Sequence, residues 1–582
     1  MKTMLFRGVA LAALAMPGAA LAQSTGSVDF EDEDAIVVTG SRTQDVGGVQ
    51  VPDTPKAKAV LTQEIIARQN PGQTILDTIN LVPGVSFQNN DAYGSSGGTL
   101  NIRGFGGDRI SLTFDGIPLN DSGNYAIFSN QQLDPEIIEQ VNVNLGSTDV
   151  DSPTASAVGG TVNYRTIVPR EELGARLSAS YGEFDFHRVF GLIETGNIGP
   201  FGTRAFVSAS KATNDNPFNN YGRVNKQQYN GRVYQPIGGN GDFVSIAGNY
   251  NQNRNNFFGS LPLRLDRTVP AGFPTNNDNR EYNINFPCAV DIQQPGVADV
   301  PNGCGTEFDR RFNPSNTGNV RGASRFSFGP VTLTFDPSFQ YVKANGGGTV
   351  NGEEGLRDIN PTGGTATIAQ CRTAPTSATN TCVTGYLGGR PYFGRDINGD
   401  GDLLDTVTVL APSQTQTRRY GVIAGLRWDI NDDHTARVAY TYDRARHRQT
   451  GEVDFAQLNG NPIDVFAINN ARADVTGTTL QKRDRLSFAI LHQVAGEYRG
   501  EFFDERLTVN WACVRHSSSA TLTTTASQHR HPASLNASVV PIIHATPSSQ
   551  RSIRPGRARK TATSSMTRSC RTSVRFLTLP SS

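Results

Sequence analysis

Asp396-Ile397-Asn398-Gly399-Asp400-Gly401-Asp402 places oxygen-bearing side chains at every second position and a glycine at the sixth. That spacing lets a chain wrap a hard cation, so Asp396, Asn398, Asp400 and Asp402 are the expected ligands of a calcium ion. The twelfth position is Val407, where such a loop carries a bidentate Glu, and Asp405 is the carboxylate available to replace it. The plainer reading is an acidic turn on a long loop. No other cofactor is required. His187, His434, His447 and His492 are scattered without metal-ligand spacing. No nucleophile elbow or zinc-binding helix occurs, so the chain is not expected to be an enzyme.

Cys288 lies close to Cys304, and Cys371 close to Cys382. In an oxidising compartment these spacings predict two local loop disulfides, with free thiols as the alternative. The N-terminus points to such a compartment. Lys2 and Arg7 precede a short apolar core over residues 11–16, and Ala20-Leu21-Ala22 supplies a small-residue cleavage pattern. Residues 1–22 therefore read as a secretory signal peptide whose removal leaves Gln23 first. Beyond it no apolar run reaches the ~18 residues that a membrane helix needs. Formal net charge is zero, yet residues 512–582 hold ten Lys and Arg and no Asp or Glu. No nucleic-acid motif accompanies that basic stretch, and no nucleic-acid partner is expected.

These residues must be positioned by a chain of several parts. Residues 23–42 form a polar linker containing the β-branched run Ile36-Val37-Val38-Thr39-Gly40. Such a run invites strand addition by a partner, or else it is the first strand of the next domain. Residues 43–168 read as a mixed α/β domain. Thr62 can cap a helix through Glu64, Ile65, Ile66 and Arg68. A second helix from about Gln73 puts Ile75, Ile79 and Val82 on one face and stops at Pro83-Gly84. Strands are expected over 100–103, 110–114 and 141–145, with turns at Gly104-Phe105-Gly106-Gly107 and Asp115-Gly116. The glycine cluster lacks the spacing and the βαβ context of a dinucleotide site.

Residues 170–511 change character. Alternating apolar and polar residues recur in segments of about ten, which places them on opposite faces of a sheet. The predicted strands are 173–182, 186–195, 203–213, 229–237, 241–255, 320–328, 331–343, 418–430, 434–447, 484–498 and 505–511. Pro337 removes one ladder donor and predicts a bulge. Short connections alternate with long ones near 256–319, 344–417 and 448–483. An antiparallel transmembrane barrel has this asymmetry, with short periplasmic turns, long extracellular loops and a lipid-facing exterior. Both loop disulfides would then be extracellular.

Asn101-Ile102-Arg103-Gly104-Phe105-Gly106-Gly107-Asp108-Arg109, followed by Thr113-Phe114-Asp115-Gly116-Ile117-Pro118, resembles the plug signature of TonB-dependent receptors. Residues 155–163, with Gly159 and Gly160, resemble the family's plug-ending segment, and Ile36 to Gly40 resembles its TonB box. The resemblance implies a mainly β protein, with an α/β plug inside an antiparallel barrel of about 22 strands, of which about eleven are present here. It implies nutrient binding outside, with a ferric siderophore the commonest cargo. TonB, driven by its inner-membrane partners, would add as a strand to Ile36, Val37, Val38, Thr39 and Gly40. Arg103 would sit ion-paired in the plug core. Only a short linker precedes the box, so the family's N-terminal signalling domain is expected to be absent and transport is favoured over signalling.

Near Trp511 the alternation stops. Residues 512–582 hold one aromatic, Phe576, one glycine, Gly556, and four of the eight histidines. A natural disordered tail is one reading; a shifted reading frame is the expected one. The strand count then leaves the sheet unclosed, and each unpaired edge group costs several kcal/mol in hydrocarbon. The chain as written is therefore expected not to insert as a working transporter. A non-functional fragment is the alternative reading, and an exported β protein such as an adhesin is a further one.

Overall fold

A computed structural model of the chain describes residues 57–146, 152–153, 157–216, 222–256, 293–299, 312–355, 392–455, 462–474, 477, 479–503, 507–524, 559–563 and 567–576. The signal peptide, the Ile36–Gly40 run, Cys288, Cys304, Cys371 and Cys382 lie outside the described residues.

The first domain holds β1 (Lys58–Thr62), α1 (Gln63–Ala67), α2 (Ile75–Thr78), β2 (Val85–Asn89), β3 (Gly98–Ile102), β4 (Phe105–Gly106), β5 (Ile110–Phe114), β6 (Ile117–Pro118), β7 (Ile138–Leu145) and β8 (Gly160–Thr166). Five of the strands form one sheet in the order β1-β7-β8-β5-β6, and β2-β3-β4 form a second. Within the larger sheet β5 and β8 are parallel and the other pairs antiparallel. Thr62 does stand at the start of α1, but its side chain makes no capping bond. The second helix is shorter than its apolar periodicity suggests. It begins at Ile75, where the Thr74 N–H donates to Asp77 Oδ2 at 3.1 Å, and tightens into a 3-10 turn at Ile79–Leu81. Leu61, Ile75, Ile79, Ile102, Leu112, Phe114, Val141 and Val162 are buried in one core. Each contributes roughly 1.5–3 kcal/mol by burial.

The second part is a single antiparallel sheet. Its strands are β9 (Leu173–Gly182), β10 (Phe186–Thr195), β11 (Arg204–Asp215), β12 (Arg223–Ile237), β13 (Asp242–Asn255), β14 (Ser315–Phe328) and β15 (Val331–Gly346). A small side sheet interrupts the run, made of β16 (Thr349–Glu353), β17 (Thr406–Leu410) and, later in the chain, β20 (Asp454–Phe455). Between and after these come β18 (Ser413–Asn431), β19 (His434–Glu452), β21 (Gln481–Phe502) and β22 (Leu507–Thr524). Two last strands, β23 (Arg559–Thr563) and β24 (Thr567–Phe576), both pair the far edge of β22. Among the described residues β9 pairs only β10, so the sheet is open.

Burial along these strands reverses that of a water-soluble sheet. The face toward the first domain is polar: Arg188, Gln228, Arg232, Asn251, Arg321, Arg419 and Gln493 are buried. The opposite face presents Leu177, Val207, Ile246, Val320, Phe335 and Val438, with Leu177 80% exposed while Gln228 is 0% exposed. Exposed apolar and enclosed polar faces are the pattern of a strand set between lipid and a filled lumen.

Two expectations are corrected. Pro337 makes no bulge. The β14–β15 register runs as Arg321↔Ser338 and resumes as Arg325↔Thr334 without an extra residue. Pairing to β18 is unbroken through Pro337↔Val422. Side chains fill the gap in the ladder: the Phe335 N–H donates to Ser324 Oγ at 3.1 Å, and the Ser324 N–H to Asp336 Oδ1 at 3.1 Å. Second, the strand does not stop at Trp511. β22 pairs with β21 from Leu507↔Phe502 to Thr524↔Arg485, across the boundary drawn between 170–511 and 512–582. Ladder pairing uses backbone groups, so a change in side-chain composition does not end it. Cys513, within this strand, is disulfide-bonded, and the register sets Cys570 opposite it.

Candidate functional site

Arg103-Gly104 and Asp115-Gly116 are the same structure twice. Arg103 (φ 49°) and Gly104 (φ 82°) join β3 to β4, and Asp115 (φ 42°) and Gly116 (φ 80°) join β5 to β6. Ile102 pairs Phe105 across the first turn, and Phe114 pairs Ile117 across the second. Two-residue hairpin turns of this hand need φ > 0 at both positions, which is why Asp-Gly is so legible a signal. Arg103 does not sit in the plug core. It is exposed and makes no ion pair among the described residues, because its turn belongs to the smaller sheet while the Asp115 turn is the one that meets β12 and β14; the Arg103 N–H donates to Gly84 O at 2.7 Å. Gly159 and Gly160 are demanded by crowding. A Cβ on Gly159 would lie 2.6 Å from Phe105 Cβ, and one on Gly160 (φ 135°) would lie 2.1 Å from Asn144 O.

Asp115 is where the first domain meets the sheet. Its Oδ2 accepts from Arg232 Nη2 on β12 at 2.8 Å and from Arg321 Nε on β14 at 2.7 Å. Its Oδ1 accepts from the Thr166 N–H at 2.9 Å, closing the end of β8 onto the same turn. Burial alone would raise the Asp115 carboxyl, but Arg321, Arg232 and the Thr166 bonds outweigh it and hold the group well below the usual carboxylate range. Arg232 also donates to Thr166 O at 3.1 Å and Ile167 O at 3.0 Å, and the Arg321 guanidinium lies 4.8 Å from the Phe114 ring centre. A third arginine, Arg419 on β18, is held by both oxygens of Asp443 at 2.7 and 2.9 Å and donates onward to Asn120 O at 3.1 Å.

A second contact lies toward β10. Arg188 forms two bonds to Glu136, at 2.6 and 2.8 Å, and one to Asp134 at 3.1 Å. Ser210 donates to Asp134 Oδ2 at 2.7 Å, and Lys226 and Gln228 donate to Gln132 O at 3.0 and 2.7 Å. Phe190, Leu192 and Phe206 join the apolar core of the first domain from the sheet side. The sequence reading missed Arg188, Arg232, Arg321 and Arg419. The signal available was a cationic residue in phase with the small and polar face of its strand.

The acidic loop is placed apart from this interface, beside the side sheet. Asp396 turns both carboxylate oxygens inward on its own loop, accepting from the N–H groups of Gly399 and Gly401 at 2.5 and 3.0 Å. Asn398 Nδ2 donates to Asp299 Oδ2 at 3.2 Å and Asp405 Oδ2 at 2.9 Å. The carboxylates of Asp299, Asp400 and Asp405 lie within 4.8 Å of one another, as do those of Glu354, Asp402 and Asp405. Asp299 and Glu354 come from outside the sequence motif. Burial and the neighbouring Asp405 raise the Glu354 carboxyl to about 7, against the opposing bonds from the Ile397 and Asn398 N–H groups.

Residues 50–161 match the model of the TonB-dependent receptor plug domain. No curated protein matches the sequence. Among solved structures, the siderophore receptor PiuA from Acinetobacter baumannii is similar, with a TM-score of 0.52 at 13% identity over 90% of this chain and 62% of that one. The open form of the ferric-catecholate import receptor Fiu from E. coli K12 gives 0.53 at 14% identity over 90% and 66%. The ferric yersiniabactin uptake receptor FyuA from Yersinia pestis gives 0.51 at 9% identity over 90% and 62%. Likeness at these identities is likeness of fold. The chain carries the plug domain of the TonB-dependent receptors, joined to part of the antiparallel barrel sheet these structures share. It spans about 62% of the length of the PiuA structure.

Proposed function

We propose that the chain is an outer-membrane receptor of the TonB-dependent kind, serving energised uptake of a large nutrient, with a ferric siderophore the favoured cargo. The observation that carries this reading is the junction itself. A plug domain sits on the polar face of a sheet whose other face is apolar, held by Asp115 to Arg232 and Arg321. An adhesin has no need of a buried, ion-paired plug. The favoured cargo follows the similar proteins, PiuA being a siderophore receptor and Fiu a ferric-catecholate import receptor. TonB would add as a strand to Ile36–Gly40 in the periplasm. Force arriving along the chain at Lys58 acts first on β1, the edge strand of the five-stranded sheet, which is held to β7 by five residue pairs. The Asp115 contacts lie at the far edge of that sheet, so β1 can peel while the plug stays anchored. The fragment reading retains one supporting observation, the sheet edge that is open at β9 among the described residues.

The test is uptake of a panel of radio-iron siderophores by cells lacking their own receptors. The reading expects uptake of at least one chelate, lost on deletion of TonB and on Val38→Pro. Uptake indifferent to TonB would overturn it, and no uptake of any chelate would overturn it in favour of the non-functional fragment.

A further inference from the structure

The side sheet brings five carboxylates from separate parts of the chain to one place. The β16–β17 ladder ends at Glu353↔Thr406, so Glu354 and Asp405 stand opposite each other just beyond it, with the Glu354 N–H on Asp405 O at 3.1 Å. Asp299 arrives from a different connection. Its N–H donates to Asp405 Oδ1 at 2.6 Å, and its carbonyl accepts from the Thr406 N–H at 3.2 Å. Asp400 and Asp402 come from the intervening loop. Beneath them Phe393, Val409, Ala411, Val453 and Leu480 form a small core with Ile397 packed on it, which holds the framework in place.

Proximity of acids alone would mean little. Glu354, however, is 0% exposed, and its Oε2 has no hydrogen-bond partner, although its carboxylate faces those of Asp402 and Asp405. Asp400 Oδ2 is likewise enclosed and without a partner. Carboxylate oxygens removed from water and given no donor are strongly disfavoured as bare anions, and either a proton or a cation must meet them; several acids brought together favour the cation. We propose that this cluster binds calcium at two overlapping carboxylate triads, Glu354-Asp402-Asp405 and Asp299-Asp400-Asp405, with Asp405 common to both.

Chemistry selects the ion. Every ligand is a hard oxygen, and neither His nor Cys belongs to either triad, which disfavours zinc. Two ligands on one calcium, each at about 2.4 Å, can stand at most about 4.8 Å apart, which holds within each triad taken by itself. Magnesium keeps most of its waters and is poorly served by a protein cage of carboxylates. Asn398 braces the set: its amide nitrogen donates to Asp299 and Asp405, and its Oδ1 accepts from the Asp400 N–H at 3.1 Å. Asp396 is not a ligand; it shapes the turn. The ion would staple the connection at 256–314 to that at 347–412, which already packs on 453–480 through Val453 and Leu480. The inference is independent of the transport reading.

The full chain, folded in detergent, is titrated with calcium chloride by calorimetry, with magnesium chloride as control. Binding of calcium at least tenfold tighter than magnesium is expected. Asp405→Asn should weaken it at least tenfold, and so should Asp400→Asn, which alters a half-buried residue and spares the fold. Calcium should also slow proteolysis within 347–412 relative to chelator. No heat up to millimolar calcium, or wild-type affinity in both variants, overturns the proposal.

Discussion

Asp115 combines two demands that few side chains meet together. It adopts the positive φ of a tight hairpin turn, and it presents a carboxylate to two arginines from different strands. Replacing it with Asn keeps the turn and removes the charge, which leaves Arg232 and Arg321 buried without their anion. Breaking such a pair costs roughly 3–5 kcal/mol. Hydrogen exchange at the Thr166 amide, which Asp115 Oδ1 accepts, should therefore speed up more than about 100-fold in Asp115→Asn. The acid dependence has a definite sign. The folded carboxyl titrates below its unfolded value of about 3.9. Its stabilisation is thus complete above that pH and is lost as pH falls through the lower folded value, so Thr166 protection should persist at pH 4.

The glycines divide by what surrounds them. Gly160→Ala drives a methyl against Asn144 O and should destabilise the plug by at least about 2 kcal/mol, whereas Gly104→Ala meets nothing within 4 Å and carries only the backbone penalty of about 1–2 kcal/mol. Urea midpoints of the two variants give the comparison. At this scale the Asp115-Gly116 turn was readable because its chemistry is local. The arginines that bind it lie 117 and 206 residues away, and nothing local announces that pairing.

At the scale of elements, alternation made most of the large sheet legible. The strands expected at 173–182 and 186–195 are β9 and β10 with the same bounds. Others run longer than the pattern, as β21 does from Gln481 to Phe502, because pairing continues where alternation fades. Strands β1 and β2 of the plug were unread: both are short, and β1 is buried along most of its length, so it shows no period. Pro337 shows why a missing donor need not bend a strand. Ser324 and Asp336 restore the lost bonds from the side chain. Ser324→Ala should leave the Phe335 N–H unmet and lower stability by about 1–3 kcal/mol, read from the unfolding midpoint. If the midpoint does not move, the ladder gap is filled some other way.

At the scale of the molecule the organising feature is an inverted sheet whose polar face is covered by a separate domain. A polar face needs partners, and the plug supplies them through Asp115, Gln132, Asp134 and Glu136. An apolar face needs something other than water, which a bilayer provides. Neither half makes sense alone, and the pairing of the two was visible in the sequence through motif order more than through any residue contact. The carboxylate cluster was half visible. The loop motif announced Asp400 and Asp402, while Glu354 and Asp299 enter only through the folding of the side sheet.

The most direct test of the account is whether the full chain, purified in detergent, binds the isolated C-terminal domain of TonB. The account predicts saturable binding that is lost when Val38→Pro removes a strand donor from the Ile36–Gly40 run. No binding, or binding unchanged by that substitution, would contradict it.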